Sequence, residues 1–377
     1  MTHFSRATVE IYQGAELSAA LRPEERMGFP EAADAAASLV RTAVADGVVP
    51  GAVLLAGRGA EGPVAAHAFG RTDSGPDARP VTVDTVFDLA SLTKVVATMP
   101  AVLRLVEQGG LSLDRPVAHW LPRFSGGGHE RVTVRQLLTH SSGLSAHRHF
   151  WTLPVSSADR LAAVLAEPLE TAPGTEVRYS DLGFIVLGEL VAAVAAQPLD
   201  RAVDALVLEP LGLTSTRYLP PADWRGRTAA TEAPPGRPPK VGVVHDENAE
   251  ALGGVAGHAG LFGTAPDLAR CLRTGWLAEQ GPLLAPALRA EALRNQTAGL
   301  GGVRGLGWTL RGDRWDHMSE AWPETGAGHT GFTGTSLALD PVGGLWAVLL
   351  TNAVHFGRDR RAVALRRTVH AALATAR

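Results

Sequence analysis

Strand signals lie at the two ends of this 377-residue chain and helical signals fill its middle, an order that leaves few folds open. Near the start, Ala52-Val53-Leu54-Leu55-Ala56 and the run 64–69 read as two strands joined by a Gly-containing turn. Near the end, the runs 334–340 and 345–352 read as two more, joined by Pro341-Val342-Gly343-Gly344. Helical patterns flank them: Ala-rich spacing over 31–46, with Leu39, Val40 and Val44 on one stripe, and a final helix from about Asp359. The simplest architecture is α+β, with one central antiparallel sheet built from both chain ends, helices on its faces and a mainly helical insertion. The expected division is a sheet unit of 31–96 with 251–377, a helical unit of 97–250, and an N-terminal extension of unclear role at 1–30. In that extension, 8–12 reads as a short strand and 15–21 as a helical turn. A cleft between sheet and insertion is where a site would form.

Inside the insertion, Thr133-Val134-Arg135-Gln136 matches a capping box before Leu137-Leu138. Residues 182–196 form a nearly unbroken apolar run, read as a buried helix, with Asp181 as a candidate N-cap. The Pro-rich stretch 219–240 reads as a surface loop. Hydrophobic residues make up 45% and charged residues 19% of the chain, with a net charge of −3 and no run of like charges. That balance gives no basis for nucleic-acid or membrane-surface binding. A single cysteine, Cys271, excludes an internal disulfide. The first residues lack the apolar core of a secretory signal, so the expected location is cytoplasmic.

The stretch Phe87-Asp88-Leu89-Ala90-Ser91-Leu92-Thr93-Lys94 sets a hydroxyl and an amine three residues apart at the start of a predicted helix. Residues at that spacing share a helix face. Serine is a weak nucleophile until a base adjoins it, and lysine becomes a base if burial lowers its pKa. Val95, Val96 and Ala97 follow directly, so the amine is expected against an apolar wall, in its neutral form. The helix runs to about Gln108, with a kink at Pro100. In isolation, Ser-x-x-Lys is equally an N-capping serine followed by a solvated lysine.

Two further clusters bear chemistry. Tyr179, in Tyr179-Ser180-Asp181, stands at the entrance of the long apolar helix, where a phenol held near cations can move protons. His329-Thr330-Gly331-Phe332 precedes the penultimate strand. Gly331 would let a substrate approach the backbone, and the Phe332 N–H could pair with that of Ser91 as an oxyanion hole. His245-Asp246-Glu247-Asn248 and His258 have metal-ligand residue types without the spacing of a zinc motif, so no metal and no cofactor are expected. His147-Arg148-His149 with Trp151 reads as a rim loop.

Taken together and in this order, the three motifs resemble those of the serine β-lactamase and penicillin-binding protein superfamily. The branch is that of class C β-lactamases, DD-peptidases, D-aminopeptidases and related esterases. Residues 87–94 resemble its nucleophile motif, Tyr179-Ser180-Asp181 its Y-x-N motif and His329-Thr330-Gly331 its K-T-G motif. The segments 132–144 and 259–269 also match, so the resemblance covers roughly residues 35–375. It implies a β-lactamase/transpeptidase-like fold with Ser91 as the acylated nucleophile, and with Lys94 and Tyr179 sharing proton transfer in an order the sequence leaves open. It further implies an oxyanion hole from the Ser91 and Phe332 backbone, and a substrate bordered by Asp181, His329, Thr330 and Gly331, with His245 and His258 at the rim.

Two residues depart from the pattern. Asp181 replaces Asn, adding negative charge that should disfavour substrate carboxylates and favour cations. His329 replaces Lys, so its anchoring charge should fade above about pH 6.5. Both point away from efficient β-lactam hydrolysis. The expected function is hydrolysis of a small ester or amide, as a carboxylesterase or a D-amino-acid or peptidoglycan-fragment amidase, with weak β-lactamase activity at most. The alternatives are a catalytically inactive relative that binds a cell-wall fragment or peptide, and a metallohydrolase built on His245 and His258. The sequence leaves oligomeric state undetermined.

Overall fold

The computed structural model describes residues 27–62, 64–233 and 236–376. The strand and turn expected at 8–12 and 15–21 lie outside them. Nine strands occur among the described residues: β1 (Gly51–Arg58), β2 (Val64–Gly70), β3 (Phe87–Asp88), β4 (Arg217–Tyr218), β5 (Leu261–Gly263), β6 (Thr309–Leu310), β7 (Ala327–Thr330), β8 (Ser336–Leu339) and β9 (Leu345–Thr351). Six form one antiparallel sheet in the order β2-β1-β9-β8-β7-β6, so strands from both chain ends meet at the β1–β9 ladder, with Leu54 opposite Leu349. The expected central sheet is observed.

Period-two alternation explains why β1 and β9 are apolar at nearly every position. Side chains of successive strand residues point to opposite faces. Val53 and Leu55 of β1, with Trp346, Val348 and Leu350 of β9, enter the large core shared with the insertion. Ala52, Leu54, Leu345, Ala347 and Leu349 enter a second core on the other face. That second core is covered by the helix Phe29–Ala45, through Phe29, Ala33, Ala36 and Val40, and by the C-terminal helix Ala362–Ala374, through Leu365, Val369 and Leu373. No face of these strands meets water, so no polar alternation is needed.

The insertion packs on the large core through the helix Asp181–Ala195, whose Leu182, Phe184, Val186, Leu187 and Leu190 are fully buried. The capping box at Thr133 forms, with the Thr133 hydroxyl accepting from the Gln136 amide. The helical cap at the long helix is Ser180, not Asp181: the Ser180 Oγ accepts the Gly183 N–H at 3.1 Å. Asp181 therefore occupies the first helical turn, with its carboxylate free to face the site.

The helix expected over 91–108 is three pieces. Ala90–Leu92 is a 3₁₀ turn, Lys94–Thr98 a wider π turn and Met99–Glu107 an α-helix. Pro100 accounts for part of this. It has no N–H for an i→i−4 bond, and it sits at the first turn of the α segment, where none is required. A small second sheet, in the order β3-β5-β4, holds the chain just ahead of Ser91: Leu89 N–H donates to Leu261 O at 3.0 Å. No single helix among the described residues is long and apolar enough to cross a membrane.

Candidate active site

Ser91 sits in a short 3₁₀ turn whose first residue, just ahead of it, is strained. Ala90 has φ +46°, in the left-handed region that costs a side-chain-bearing residue about 1–2 kcal/mol. Buried Asp88 holds this conformation: its carboxylate accepts the Ala90 N–H at 2.8 Å and the His245 N–H at 2.6 Å. The result aims the Ser91 hydroxyl at Lys94, whose Nζ donates to Ser91 Oγ at 2.8 Å and to the His258 carbonyl at 3.0 Å.

Lys94 is fully buried, but its wall is not apolar alone. Asp181 Oδ1 lies 2.8 Å from Nζ, an ion pair whose angles fall outside those of a hydrogen bond. Burial, the largest single effect, lowers the Lys94 pKa, but the charges of Asp181 and Tyr179, with the polar contacts both side chains make to the amine, together outweigh it, and the net direction is upward. The expectation of a neutral amine is therefore corrected: Lys94 is an ammonium in this arrangement. Asp181 is its counterion. Burial pushes the Asp181 carboxyl up, yet Lys94, then His147 at 3.6 Å and the charge of His258, hold it well below the carboxylate range. Its negative charge is committed to Lys94 rather than offered to substrate.

Tyr179 is placed by its neighbour. Ser180 donates its N–H to His140 Nδ1 at 3.0 Å and its hydroxyl to Ser145 O at 2.6 Å, and the His140 ring lies 4.5 Å from that of Tyr179. Burial raises the Tyr179 pKa, the Lys94 charge lowers it, the Asp181 charge raises it and hydrogen bonding to Lys94 and Ser91 lowers it, leaving a net upward direction. The phenol, the serine and the ammonium thus share one buried polar cluster.

The third motif precedes the penultimate strand, β8, as expected, and itself lies on β7, where His329 and Thr330 pair with Leu337 and Ser336 of β8. His329 is 3% exposed, with Nδ1 against the Thr330 carbonyl at 2.9 Å. Burial, then the charges of Lys94 and Arg304, push its pKa down to about 3. His329 is neutral at any ordinary pH, which corrects the expectation of an anchoring charge that fades only above about pH 6.5. Thr333 Oγ1 donates to Asp88 O at 2.8 Å and Thr335 Oγ1 to Leu89 O at 3.2 Å. These bonds tie the β7–β8 turn to the stretch that carries Ser91. The Phe332 N–H has no acceptor among the described residues. The Ser91 N–H is in a first helical turn, where amides lack an intrahelical partner. Two donors are thereby left over on adjoining backbone.

All of this opens on a cavity of about 590 Å³, lined by Ser91, Tyr179, Asp181, His329, Gly331 and Phe332 among others. Of the rim residues, His245 lines it, stacked on the half-exposed Phe332 ring at 5.7 Å and bonded to Glu232 at 2.9 Å. His258 does not line it. The ring is 1% exposed and pairs with Asp246 at 2.8 Å, so its contribution to the site is the backbone carbonyl that holds Lys94. The His147, His149 and Trp151 cluster forms one wall. Among the described residues no group of His, Cys, Asp or Glu is arranged to hold a metal ion.

Sequence reading missed three contributors. Asp88 was inside the quoted motif but without a partner in sequence. Arg304, 1% exposed, lies with its guanidinium carbon 5.9 Å from the Tyr179 ring centroid. Arg366, from the C-terminal helix, donates to the Gly331 carbonyl at 2.5 Å. Neither arginine sits in a local pattern that could have marked it.

Comparison with known proteins fits this geometry. A family model described as beta-lactamase matches residues 36–372. The chain is 33% identical over 307 residues to a protein named "Putative D-alanyl-D-alanine carboxypeptidase" of Escherichia coli (strain K12), covering 73% of this chain and 70% of that one. It is 32% identical over 343 residues to "Esterase EstB" of Burkholderia gladioli, covering 78% and 84%. Among solved structures, EstCE1, described as a hydrolase with promiscuous acyltransferase activity, matches with a TM-score of 0.72 at 25% identity, covering 91% of this chain and 99% of that one. A class C beta lactamase matches in fold with a TM-score of 0.72 at 19% identity, covering 93% and 99%.

Proposed function

Because the chain belongs to the beta-lactamase family and is one of its serine hydrolases, we propose that it hydrolyses a small ester or amide through an acyl-enzyme on Ser91. The observation that carries this reading is the 2.8 Å contact between Ser91 Oγ and a buried, ion-paired Lys94, beside Tyr179. With Asp181 holding the Lys94 proton in place, the group left to take the serine proton is Tyr179 as phenolate.

In the acylation step, Oγ attacks the substrate carbonyl carbon and its proton passes to the Tyr179 oxygen. The carbonyl electron pair moves onto oxygen, where the Ser91 and Phe332 amides receive it. Collapse expels the alkoxide or amine, which takes the proton from Tyr179. Water then repeats the sequence on the acyl-enzyme, giving the acid and free Ser91. The ammonium of Lys94 stabilises the phenolate in both steps and orients Oγ.

The substrate class is a carboxylic ester or a D-amino-acid or peptidoglycan-fragment amide. Support comes from the esterase and carboxypeptidase names among the relatives. A short-chain p-nitrophenyl ester and a D-alanyl p-nitroanilide compare the two. Turnover of either, reduced at least ~10³-fold in Ser91→Ala, is the expected result. Turnover unchanged in Ser91→Ala would remove the acyl-enzyme, and an inert wild type that binds the amide would favour a binding protein.

A further inference from the structure

The neutral state of His329 leaves a question of charge. A phenolate at Tyr179 is buried, and a lone buried anion is strongly disfavoured. Lys94, 5.1 Å from the ring centroid, is one cation beside it, but its charge is shared with Asp181. From β7, His329 brings none, and from the loop after Leu138, His140 brings none, since burial drives its pKa well below the ordinary value. The remaining charged group against the ring is Arg304, from the loop before β6.

Arg304 is held where it cannot turn away. Its Nη1 donates to Thr309 Oγ1 at 2.7 Å and its Nη2 lies 3.1 Å from Asp313 Oδ1. Asp313, equally buried, also accepts the Val303 N–H and the Trp315 N–H, each at 2.8 Å. The Arg304 Nε and Nη2 find no hydrogen-bond acceptor among the described residues, although Arg304 is 1% exposed. A guanidinium buried with spare donors is costly unless its field serves something. Arg314, behind it, adds further positive charge to the same corner.

We propose that Arg304 is a positioning residue for proton transfer, supplying fixed positive charge against the face of the Tyr179 ring. This rests on the reading of Tyr179 as the proton acceptor for Ser91. A permanent cation about 6 Å from the ring favours the phenolate over the phenol. Removing it raises the pH at which the Tyr179–Lys94 pair gives up its proton, and strengthening it lowers that pH. Arginine suits the task because it keeps its charge at every working pH.

The test is the pH profile of kcat/KM on whichever p-nitrophenyl substrate the wild type turns over, in two variants of opposite sign. Arg304→Met with Asp313→Asn removes both charges and leaves no buried orphan ion. Its ascending limb is expected to move up by about one pH unit, about tenfold lower at pH 7, with recovery at high pH. Asp313→Asn alone frees the guanidinium charge, and its limb is expected to move down. Arg304→Lys keeps the limb near the wild-type position. Tyr179 ionisation, followed by ¹³Cζ tyrosine NMR in a chain with three tyrosines, reads the same shifts without activity, and Asp313→Asn alone suffices for it if the double variant does not fold. A uniform drop at all pH values with an unmoved limb, or limbs moving the same way in both variants, overturns the proposal. Activity surviving in Ser91→Ala would instead overturn the acyl-enzyme on which it rests.

Discussion

Asp181→Asn isolates the feature that most alters the site's chemistry. Two unit charges 2.8 Å apart attract by about 6 kcal/mol at an effective dielectric of about 20. Asp181 is 18% exposed, so water screens part of this, and about half, or about 3 kcal/mol, is a fair working value. Losing it lets Lys94 give up its proton at lower pH. Removing the carboxylate also removes negative charge that opposes the Tyr179 phenolate. Both effects act in one direction. The ascending limb of kcat/KM moves toward acid, and activity at about pH 6 rises relative to wild type. Stability follows the same pair. Asp181, depressed on folding, stabilises above its unfolded pKa of about 3.9, and that contribution is lost as pH falls through the folded value. Lys94, raised on folding, stabilises below its unfolded pKa of about 10.4 and loses the contribution as pH rises through the folded value. Asp181→Asn is therefore destabilising between about pH 4 and pH 10 by about 2–3 kcal/mol, with the gap to wild type closing above about pH 10. Urea melts at about pH 7 and at about pH 3, where Asp181 is protonated in the unfolded chain and the gap narrows, check this together with the parallel kinetics. A limb that stays put, or moves toward alkali, would refute the ion-pair account of Lys94.

Further predictions concern the surrounding residues. Gly331→Ala places a Cβ 2.5 Å from the Leu89 carbonyl, so β7 must move away from Ser91; kcat is expected to fall about 10²-fold or more with a small change in melting temperature. Because His329 stays neutral down to about pH 3, KM for a substrate bearing a carboxylate should be flat between pH 5 and pH 8, and a histidine-like inflection near pH 6.5 would contradict its burial. Cys271 is buried, with its thiol pushed up to about 12, so a disulfide reagent should find no thiol in the native protein and one per chain after denaturation.

Much of the fold was legible because its signals are local. The β1–β2 hairpin, the apolar β9, the Thr133 capping box and the buried helix after Tyr179 each carry a period or a cap in consecutive residues. The same holds for the site's outline, since Ser91, Lys94, Tyr179 and His329 sit in motifs whose spacing is visible. What the sequence could not show is charge state, which depends on contacts far along the chain. Lys94 reads as a neutral amine beside Val95 and Val96 until Asp181, 87 positions away, supplies a counterion. His329 reads as an ordinary histidine, charged below about pH 6.5, until the structure encloses it between β8 and the Tyr179 ring. Arg304 and Arg366 stand in no motif, and only tertiary packing brings them to Tyr179 and Gly331. Asp181 reads as the cap and Ser180 is the cap, because adjacent polar residues before an apolar run differ only in backbone geometry.

The central claim is that Ser91 is an activated nucleophile. The most direct test exposes the intact protein to a fluorophosphonate, measures its mass and maps the adduct by peptide mass spectrometry. The account predicts one adduct per chain on Ser91, formed faster as pH rises and lost in both Lys94→Ala and Tyr179→Phe. No adduct, or an adduct on another serine that survives both substitutions, would contradict it.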